Sequence, residues 1–238
     1  NHTLKFMAFT EITINGLGEG DPINALKSTN NRVELGGVKN LYQNIYVVMD
    51  AGINFSPSLG IPVHGIIGYD LFRDFVVDVN YVKKTIKFYD PALYTYKASK
   101  HTRVVDMSVI RRKAYLDAHV MINKTDEIPV KLLLDTGSSD AVWLFEDERI
   151  QLPKKHYQDF LGKGLAGDIF GKRTKINHLK ISDFILSDAK AAFPDMETFN
   201  TIADFGGRNG SLGGEIIKRF HVVFDYAKEK LILTKNSN

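Results

Sequence analysis

Apolar and polar residues follow one pattern in two stretches of the chain, residues 65–89 and 210–234. In each stretch a short apolar segment ends in glycine, and a helix-like segment with an acidic residue in its first turn follows. Two short runs rich in β-branched and aromatic residues then flank a polar turn, which indicates a β-hairpin. The pattern predicts helices over 70–75 and 215–220 and strands over 76–80, 85–89, 221–225 and 230–234.

The two stretches are related by a constant offset of 145 residues, without an insertion or a deletion. Gly68 in the first stretch corresponds to Gly213 in the second. A repeat at a fixed offset is the signature of a duplicated structural unit. We therefore expect two related lobes, residues 1–95 and 96–238, with the linker between them over 90–100.

A third pattern occurs once, where the apolar run 132–134 leads into Asp135, Thr136, Gly137 and Ser138. The apolar run predicts a buried strand, and the Thr-Gly pair predicts a tight turn that holds the carboxylate at the strand end. Carboxylates in such positions are frequent at functional sites. Asp135 is therefore the candidate catalytic residue, with Thr136 and Gly137 holding its carboxylate in place. An ordinary Asp-Gly-type turn at the end of a strand is the alternative.

These features together resemble the two-lobed aspartic peptidases of the pepsin and retropepsin clan, in particular the bacterial aspartyl protease family common in Bacteroidetes. The segment 132–139 is similar to the catalytic loop of that clan, and Trp143 follows it much as in pepsins. A second shared feature is an apolar-Gly element, which in this fold crosses beneath the catalytic loop. The chain has this element twice, at Ile66, Ile67 and Gly68 and again at Ser211, Leu212 and Gly213.

The resemblance implies an all-β, bilobal acid-protease fold, in which each lobe is a barrel-like sheet with a short helix and the active site lies in the cleft between lobes. It implies an endopeptidase in which two Asp carboxylates share one proton and activate water, because two close carboxylates cannot both ionise. Asp135 would be one of them, and Thr136 would bond to the partner loop. Gly137 would allow close backbone approach, and Ser138 would orient the carboxylate. No metal or cofactor is implied, and the expected partner is a peptide or protein substrate.

The second catalytic Asp is expected on a segment that precedes Asn1. The repeat offset places the equivalent of Asp135 about eleven positions before Asn1. We estimate a segment of about 45 residues, because a first lobe without its initial strands would leave sheet edges open. If that segment is cleaved off, the fragment itself becomes an expected partner, held by strand pairing.

Two other interpretations stay open on the sequence alone. If the first lobe lacks its Asp, the protein is a catalytically inactive pseudo-peptidase that binds peptides. Alternatively, two chains pair their second lobes as retropepsins do. This dimer is disfavoured because each chain already carries most of a first lobe.

Two glycine-rich segments are candidate flaps, the hairpins that close over bound peptide in this family. They are residues 161–171 in the second lobe and 14–22 in the first, and their glycines permit movement. A phosphate-binding loop at residues 16–20 is disfavoured, because the strand-to-helix context and the Lys-Ser/Thr pair are missing. Asp140 is expected to be a surface or turn residue rather than a third catalytic acid.

Composition and charge exclude several other functions. The net charge of the 238 residues is +3 and the basic residues are scattered, so nothing favours a nucleic-acid partner. No apolar run approaches about 18 residues, so no membrane span is expected. The chain has no cysteine, and its seven histidines lack the spacing of metal ligands. Secretion or export to a bacterial envelope is implied by the family resemblance alone.

Overall fold

The computed structural model of the protein describes residues 9–16, 18, 20–49, 53–97, 99–123, 126–199 and 207–236. Most of these residues lie in β-strands, and the helices among them are short. The predicted all-β class is therefore confirmed.

The elements of the first part of the chain are β1 (Thr10–Ile14), β2 (Ile23–Leu35), β3 (Val38–Val48), α1 (Ser56–Leu59), α2 (Tyr69–Asp74), β4 (Val76–Asn80) and β5 (Thr85–Tyr89). The middle of the chain forms β6 (Thr102–Ile110), β7 (Lys113–Met121), β8 (Glu127–Asp135), β9 (Val142–Leu144), β10 (Tyr157–Gly164) and β11 (Gly167–Lys175). The last elements are β12 (His178–Ile181), β13 (Phe184–Ser187), β14 (Lys190–Pro194), a 3-10 helix (Met196–Phe199), β15 (Gly210–Gly213), α3 (Gly214–Ile217), β16 (Phe220–Asp225) and β17 (Lys230–Lys235).

The helix and hairpin predicted for each repeat copy are both present. Strands β4 and β5 have the predicted bounds, and β16 and β17 are each longer by one residue. Helix α2 lies one residue earlier than predicted. Helix α3 ends at Ile217, earlier than predicted, because Phe220 already belongs to β16 and is buried in the core.

The described residues divide into two compact units. The first unit contains the chain up to Leu71 together with Gly162–Ile169, the tip of the β10–β11 hairpin. Its strands form a three-stranded antiparallel sheet in the order β1-β2-β3. The β2–β3 turn lies at Gly36 and Gly37, whose φ angles of +57° and +86° favour glycine. The β4–β5 hairpin belongs to the second unit, although the sequence groups it with the first copy.

The second unit is built on one large sheet with the strand order β10-β11-β14-β9-β15-β8-β7-β6-β17-β16-β4-β5, and the β12–β13 hairpin pairs with β7. Apolar side chains of this sheet form the main core, among them Leu116, Leu132, Leu144 and Phe224, each at most 2% exposed. Leu132 is the first residue of the apolar run 132–134 before Asp135. Its complete burial explains why this run forms a central strand.

The two repeat copies meet within this sheet. Strand β4 of the first copy pairs antiparallel with β16 of the second, and Asp78 lies opposite Val223, its own repeat equivalent. Strands β5 and β17 flank this pair in equivalent registers. The two hairpins are therefore related by a local two-fold axis that passes through the Asp78–Val223 pair.

Candidate functional site

Strand β15 carries Ser211, Leu212 and Gly213 through the middle of the second unit. It runs parallel to β8 and antiparallel to β9, so it lies between these two strands. Ser211 and Leu212 are 3% and 2% exposed, and Gly213 lies opposite Asp135, the last residue of β8. The structure thus brings the second apolar-Gly element and the Asp135 loop together.

Two positions of β15 require glycine because neighbouring backbones approach them closely. A Cβ atom at Gly210 would lie 2.9 Å from the carbonyl carbon of Trp143. A Cβ atom at Gly213 would lie 3.0 Å from the carbonyl carbon of Asp140. Packing this close leaves β9 and the loop at Asp140 little room to shift relative to β15.

The Asp135 carboxylate is half-buried and is held by the turn that follows it. Its Oδ1 atom accepts hydrogen bonds from the amides of Gly137 at 3.0 Å and Ser138 at 3.2 Å, which is an Asx-type turn. The sequence predicts that Ser138 orients the carboxylate. That contact comes from the Ser138 amide, while its hydroxyl accepts the Asp140 amide at 3.3 Å. Thr136 and Gly137 are exposed, so the turn fixes the direction of the carboxylate and leaves it partly accessible.

Three backbone hydrogen bonds fasten this loop to β15 and α3. The amide of Gly213 donates to Ala141, that of Gly214 to Ser138 and that of Glu215 to Asp140, over 2.7–3.1 Å. The last two donors belong to the first turn of α3, so the loop supplies acceptors for helix N–H groups that would otherwise lack them. The segment after Asp135 is thereby fixed at several points rather than at one.

Asp140 is the centre of an ion-pair cluster that the sequence does not reveal. One of its carboxylate oxygens accepts the indole N–H of Trp143 at 2.6 Å, and the other pairs with Arg173 on β11. Arg173 also donates through Nε to Asp159 on β10 at 2.5 Å. Burial disfavours the Arg173 charge, but the hydrogen bonds and attraction of the two carboxylates outweigh burial and raise its pKa. Asp140 lies in a bend of the chain, which agrees with the turn part of the expectation of a surface or turn residue, and its side chain is 13% exposed.

Arg208 places a second buried cation close to the site. Its guanidinium carbon lies 5.0 Å from the centroid of the Phe145 ring, a cation–π distance, and the residue is 8% exposed. Burial lowers the pKa of Arg208, and attraction to Tyr115 and Asp135 offsets part of that effect. No motif singles out Arg208 in the sequence, because Arg208 lies just before β15 and is brought near Asp135 by the pairing of β15 with β8.

The two segments predicted as flaps meet within the first unit. Most of residues 161–171 belong to the β10–β11 hairpin, whose turn is Leu165–Ala166. Residues 14–22 connect β1 to β2, and residues 17 and 19 among them lie outside the described part. The Gly20 amide donates to the carbonyl oxygen of Ala166 at 2.5 Å.

The first apolar-Gly element is placed differently from the second. Ile66 and Ile67 lie in an irregular segment before α2 and are 74% and 57% exposed. A Cβ atom at Gly68 would meet no atom within 4 Å. Within the described residues, the structure therefore brings no catalytic loop to Ile66, Ile67 and Gly68.

Other kinds of site find little support in the described part of the chain. No group of three or more His, Cys, Asp or Glu residues there could hold a metal ion. No helix in the same residues is long and apolar enough to cross a membrane.

In comparisons with known proteins, no family model matches the chain, and no curated protein matches it either.

Proposed function

We propose that the protein is an aspartic endopeptidase and that Asp135 is one of its two catalytic carboxylates. The observation that carries this proposal is the position of Asp135, at the end of β8 and opposite Gly213 of a strand inserted between β8 and β9. A partly accessible carboxylate, fixed by backbone amides on a rigid strand end, suits general acid–base catalysis. The proposal includes the bilobal acid-protease fold, with two related barrel-like lobes and a peptide-binding cleft between them.

In the proposed reaction, Asp135 and a second Asp share one proton across the site. The ionised carboxylate takes a proton from water as the water oxygen attacks the carbonyl carbon of the peptide bond. The protonated carboxyl group donates its proton to the carbonyl oxygen. The tetrahedral intermediate then collapses: the C–N bond breaks, the amine nitrogen takes up a proton and a new carboxyl group remains.

The repeat supports a second Asp on a segment that precedes Asn1. Ile66 and Ile67 correspond to Ser211 and Leu212, which are buried between β8 and β9. At the repeat offset, the equivalents of both flanking strands fall before Asn1. Two adjacent, largely exposed isoleucines indicate a surface that another segment covers. We propose that this segment carries the second catalytic loop.

The strand at the edge of the large sheet also supports the proposal of a segment that precedes Asn1. Strand β17 pairs with β6 along Thr102–Asp106. Its repeat equivalent, β5, is the last strand in the order of the sheet described here. An open edge is a template for an added strand. A preceding segment with the pattern of β6 would therefore complete the two-fold arrangement.

The proposed substrate is an extended stretch of peptide or protein. Extended peptides bind such enzymes as an added strand, with main-chain hydrogen bonds for affinity and side-chain pockets for selectivity. The β10–β11 hairpin has glycines at positive φ near its turn, Gly162 at +144° and Gly167 at +113°. These glycines permit the backbone change that closure of a hairpin over a peptide requires.

Cleavage of a mixture of unstructured peptides, analysed by mass spectrometry, tests the proposal on the protein with its preceding segment. Asp135→Asn removes a group that the reaction needs in two protonation states, so the rate should fall by about 10²–10⁴-fold or more. Asp117→Asn is the matched control, because this side chain is 80% exposed on the neighbouring strand β7. Cleavage that persists in Asp135→Asn would refute the assignment.

The same samples separate an enzyme from a binding module. If the wild-type protein binds peptides without cleaving any of them, it is the catalytically inactive pseudo-peptidase. Cleavage that requires Asp135 and depends on protein concentration in the manner of dimer formation would favour paired second lobes instead.

A further inference from the structure

An ion-pair cluster joins the base of the β10–β11 hairpin to the loop that follows Asp135. We call it the Arg173 cluster; it consists of Arg173, Asp140, Asp159 and Trp143. Arg173 reaches both carboxylates, and Asp140 also accepts the Trp143 indole N–H at 2.6 Å. Asp159 belongs to the other strand of the hairpin, so the cluster ties both hairpin strands to the loop.

The sheet register explains how Arg173 reaches the loop. Arg173 lies opposite Ala192 on β14, and Ala192 lies beside Trp143 on the parallel strand β9. Residues opposite one another on adjacent strands share a face of the sheet. Because the residue between them is alanine, the long side chains of Arg173 and Trp143 can meet the same acceptor, Asp140.

The cluster is partly removed from water. The side chains of Arg173 and Asp140 are 23% and 13% exposed, so their attraction is screened less than that of a surface pair. Removing one member would leave the charge of the other without compensation in a half-buried place. The pair therefore constrains the position of the loop more strongly than an exposed ion pair would.

A short chain of contacts leads from the cluster to the catalytic carboxylate. The Asp140 amide donates to the Ser138 hydroxyl at 3.3 Å, and the Asp140 carbonyl accepts the Glu215 amide at 3.1 Å. The Ser138 amide in turn donates to the Asp135 carboxylate. A shift of Asp140 would therefore move a donor that sets the direction of that carboxylate.

We propose that Arg173 is a positioning residue for the reaction: through Asp140, it holds the Asp135 loop in place and fixes it to the base of the β10–β11 hairpin. This inference rests on the proposed peptidase function. Arg173 does not touch the reacting atoms. Its effect is on geometry, so it should act on kcat with little change in KM.

Two substitutions separate the charge of Arg173 from its shape. Arg173→Gln removes the cation, and Arg173→Lys keeps the charge but loses the planar fork that serves two carboxylates at once. Displacement of a catalytic group by about 1 Å can lower a rate on the order of 10²-fold. We expect a fall in kcat of this order for Arg173→Gln and a smaller one for Arg173→Lys. Arg103→Gln is the matched control, because Arg103 makes a similar two-oxygen pair with Asp183 at an exposed site.

Two readouts follow the cluster without requiring activity. Trp143 is the single tryptophan of the chain, so its fluorescence reports directly on the Asp140 acceptor. Hydrogen exchange of the amides at residues 137–141 reports on the loop. Arg173→Gln should shift the fluorescence and accelerate the exchange at least about tenfold, and Arg103→Gln should change neither.

The experiment combines these readouts with kcat and KM on the full protein. A loosened loop together with a lower kcat and a nearly unchanged KM supports the proposal. An unchanged loop, or a loosened loop with an unchanged kcat, overturns it. If the wild-type protein cleaves nothing, the proposed function fails, and hydrogen exchange alone decides whether the Arg173 cluster holds the Asp135 loop in place: faster exchange in Arg173→Gln supports this and unchanged exchange overturns it.

Discussion

Replacing Gly213 with alanine should destabilise the protein, because the added methyl group would press against the loop that carries Asp135. Gly213 has φ −97° and ψ 176°, an extended conformation that alanine adopts without strain. The cost of the substitution is therefore steric and comes from the neighbours of the new Cβ atom. It would lie 3.0 Å from the carbonyl carbon of Asp140, closer still to its oxygen, and 3.1 Å from the Ser138 hydroxyl.

The magnitude follows from the hydrogen bonds that hold this loop. Ordinary contacts of a Cβ atom begin at 3.4 Å, and the Asp140 carbonyl oxygen, the nearest atom, lies far inside that limit, so the loop has to retreat by roughly 1 Å. That movement weakens the three backbone bonds between the loop and residues 213–215, each worth about 1 kcal/mol net. Alanine also restricts the unfolded chain, which returns about 0.4–1 kcal/mol. The expected net loss is about 2–3 kcal/mol of unfolding free energy.

Urea denaturation measures this loss, and the repeat supplies the matched control. Gly68 is the repeat equivalent of Gly213, and a Cβ atom there would meet nothing within 4 Å. In the 238-residue chain, Gly68→Ala should therefore be neutral or stabilising by up to about 1 kcal/mol. In the protein that includes the proposed preceding segment, Gly68→Ala should become about as costly as Gly213→Ala.

A Gly213→Ala variant with the same denaturation midpoint as Gly68→Ala in the 238-residue chain would refute this reasoning. The comparison is sharp because both substitutions make the same change to the unfolded state. Only the difference in the space around the two glycines remains.

The remaining predictions concern the core and the response to pH. Leu132→Ala should lower the unfolding free energy by about 2–5 kcal/mol, since Leu132 is completely buried in β8; a loss below about 1 kcal/mol in urea denaturation would contradict this. Burial opposes the charge of Asp195, but hydrogen bonds from Lys172 and Gln158 outweigh burial and lower its pKa. The Asp195 carboxylate therefore stabilises the folded protein at pH values above the ordinary pKa that it has in the unfolded chain. This contribution disappears as the pH falls through the lowered pKa of the folded protein. Asp195→Asn should be less stable than wild type at pH 7 by about 0.5–1 kcal/mol, and an equal difference at pH 2 would contradict this sign.

Local patterns predict the helix and the hairpin of each repeat copy well, because residues that are close together in the sequence determine these elements. The bounds of β4 and β5 follow from apolar and β-branched residues around a polar turn. The apolar run before Asp135 likewise predicts a buried strand, and Leu132 is completely buried. These features depend on spacings of a few residues, which a sequence displays directly.

The Arg173 cluster could not be predicted because it depends on strand order. Arg173 and Trp143 share a face of the sheet only because β14 lies between β11 and β9, and β14 pairs parallel with a strand far away in sequence. Asp140 follows the Asp135 loop, and aspartate is a residue type that turns favour. Its charged partner Arg173 lies 33 residues further along the chain, so the sequence does not show that the Asp140 side chain is largely removed from water.

The long β2–β3 hairpin was not predicted for a different reason. Of the thirteen residues of β2, Ile23, Ala25 and Ser28 are buried. The register between the strands also shifts between Ser28 and Asn31 and again before Val33. Such a strand shows little alternation of apolar and polar residues, which is the signal that a sequence offers for a half-buried strand.

We propose that Asp135 acts on a peptide bond rather than only beside a bound peptide. Titration calorimetry tests this with a peptide and its isostere, in which –CH(OH)–CH2– replaces the –CO–NH– of the cleaved bond. An enzyme binds a mimic of the transition state at least about 10²-fold more tightly than its substrate. We predict such a difference for the wild-type protein that includes the proposed preceding segment, and we predict its loss in Asp135→Asn. Equal affinity for the peptide and the isostere would contradict the claim and leave a peptide-binding protein.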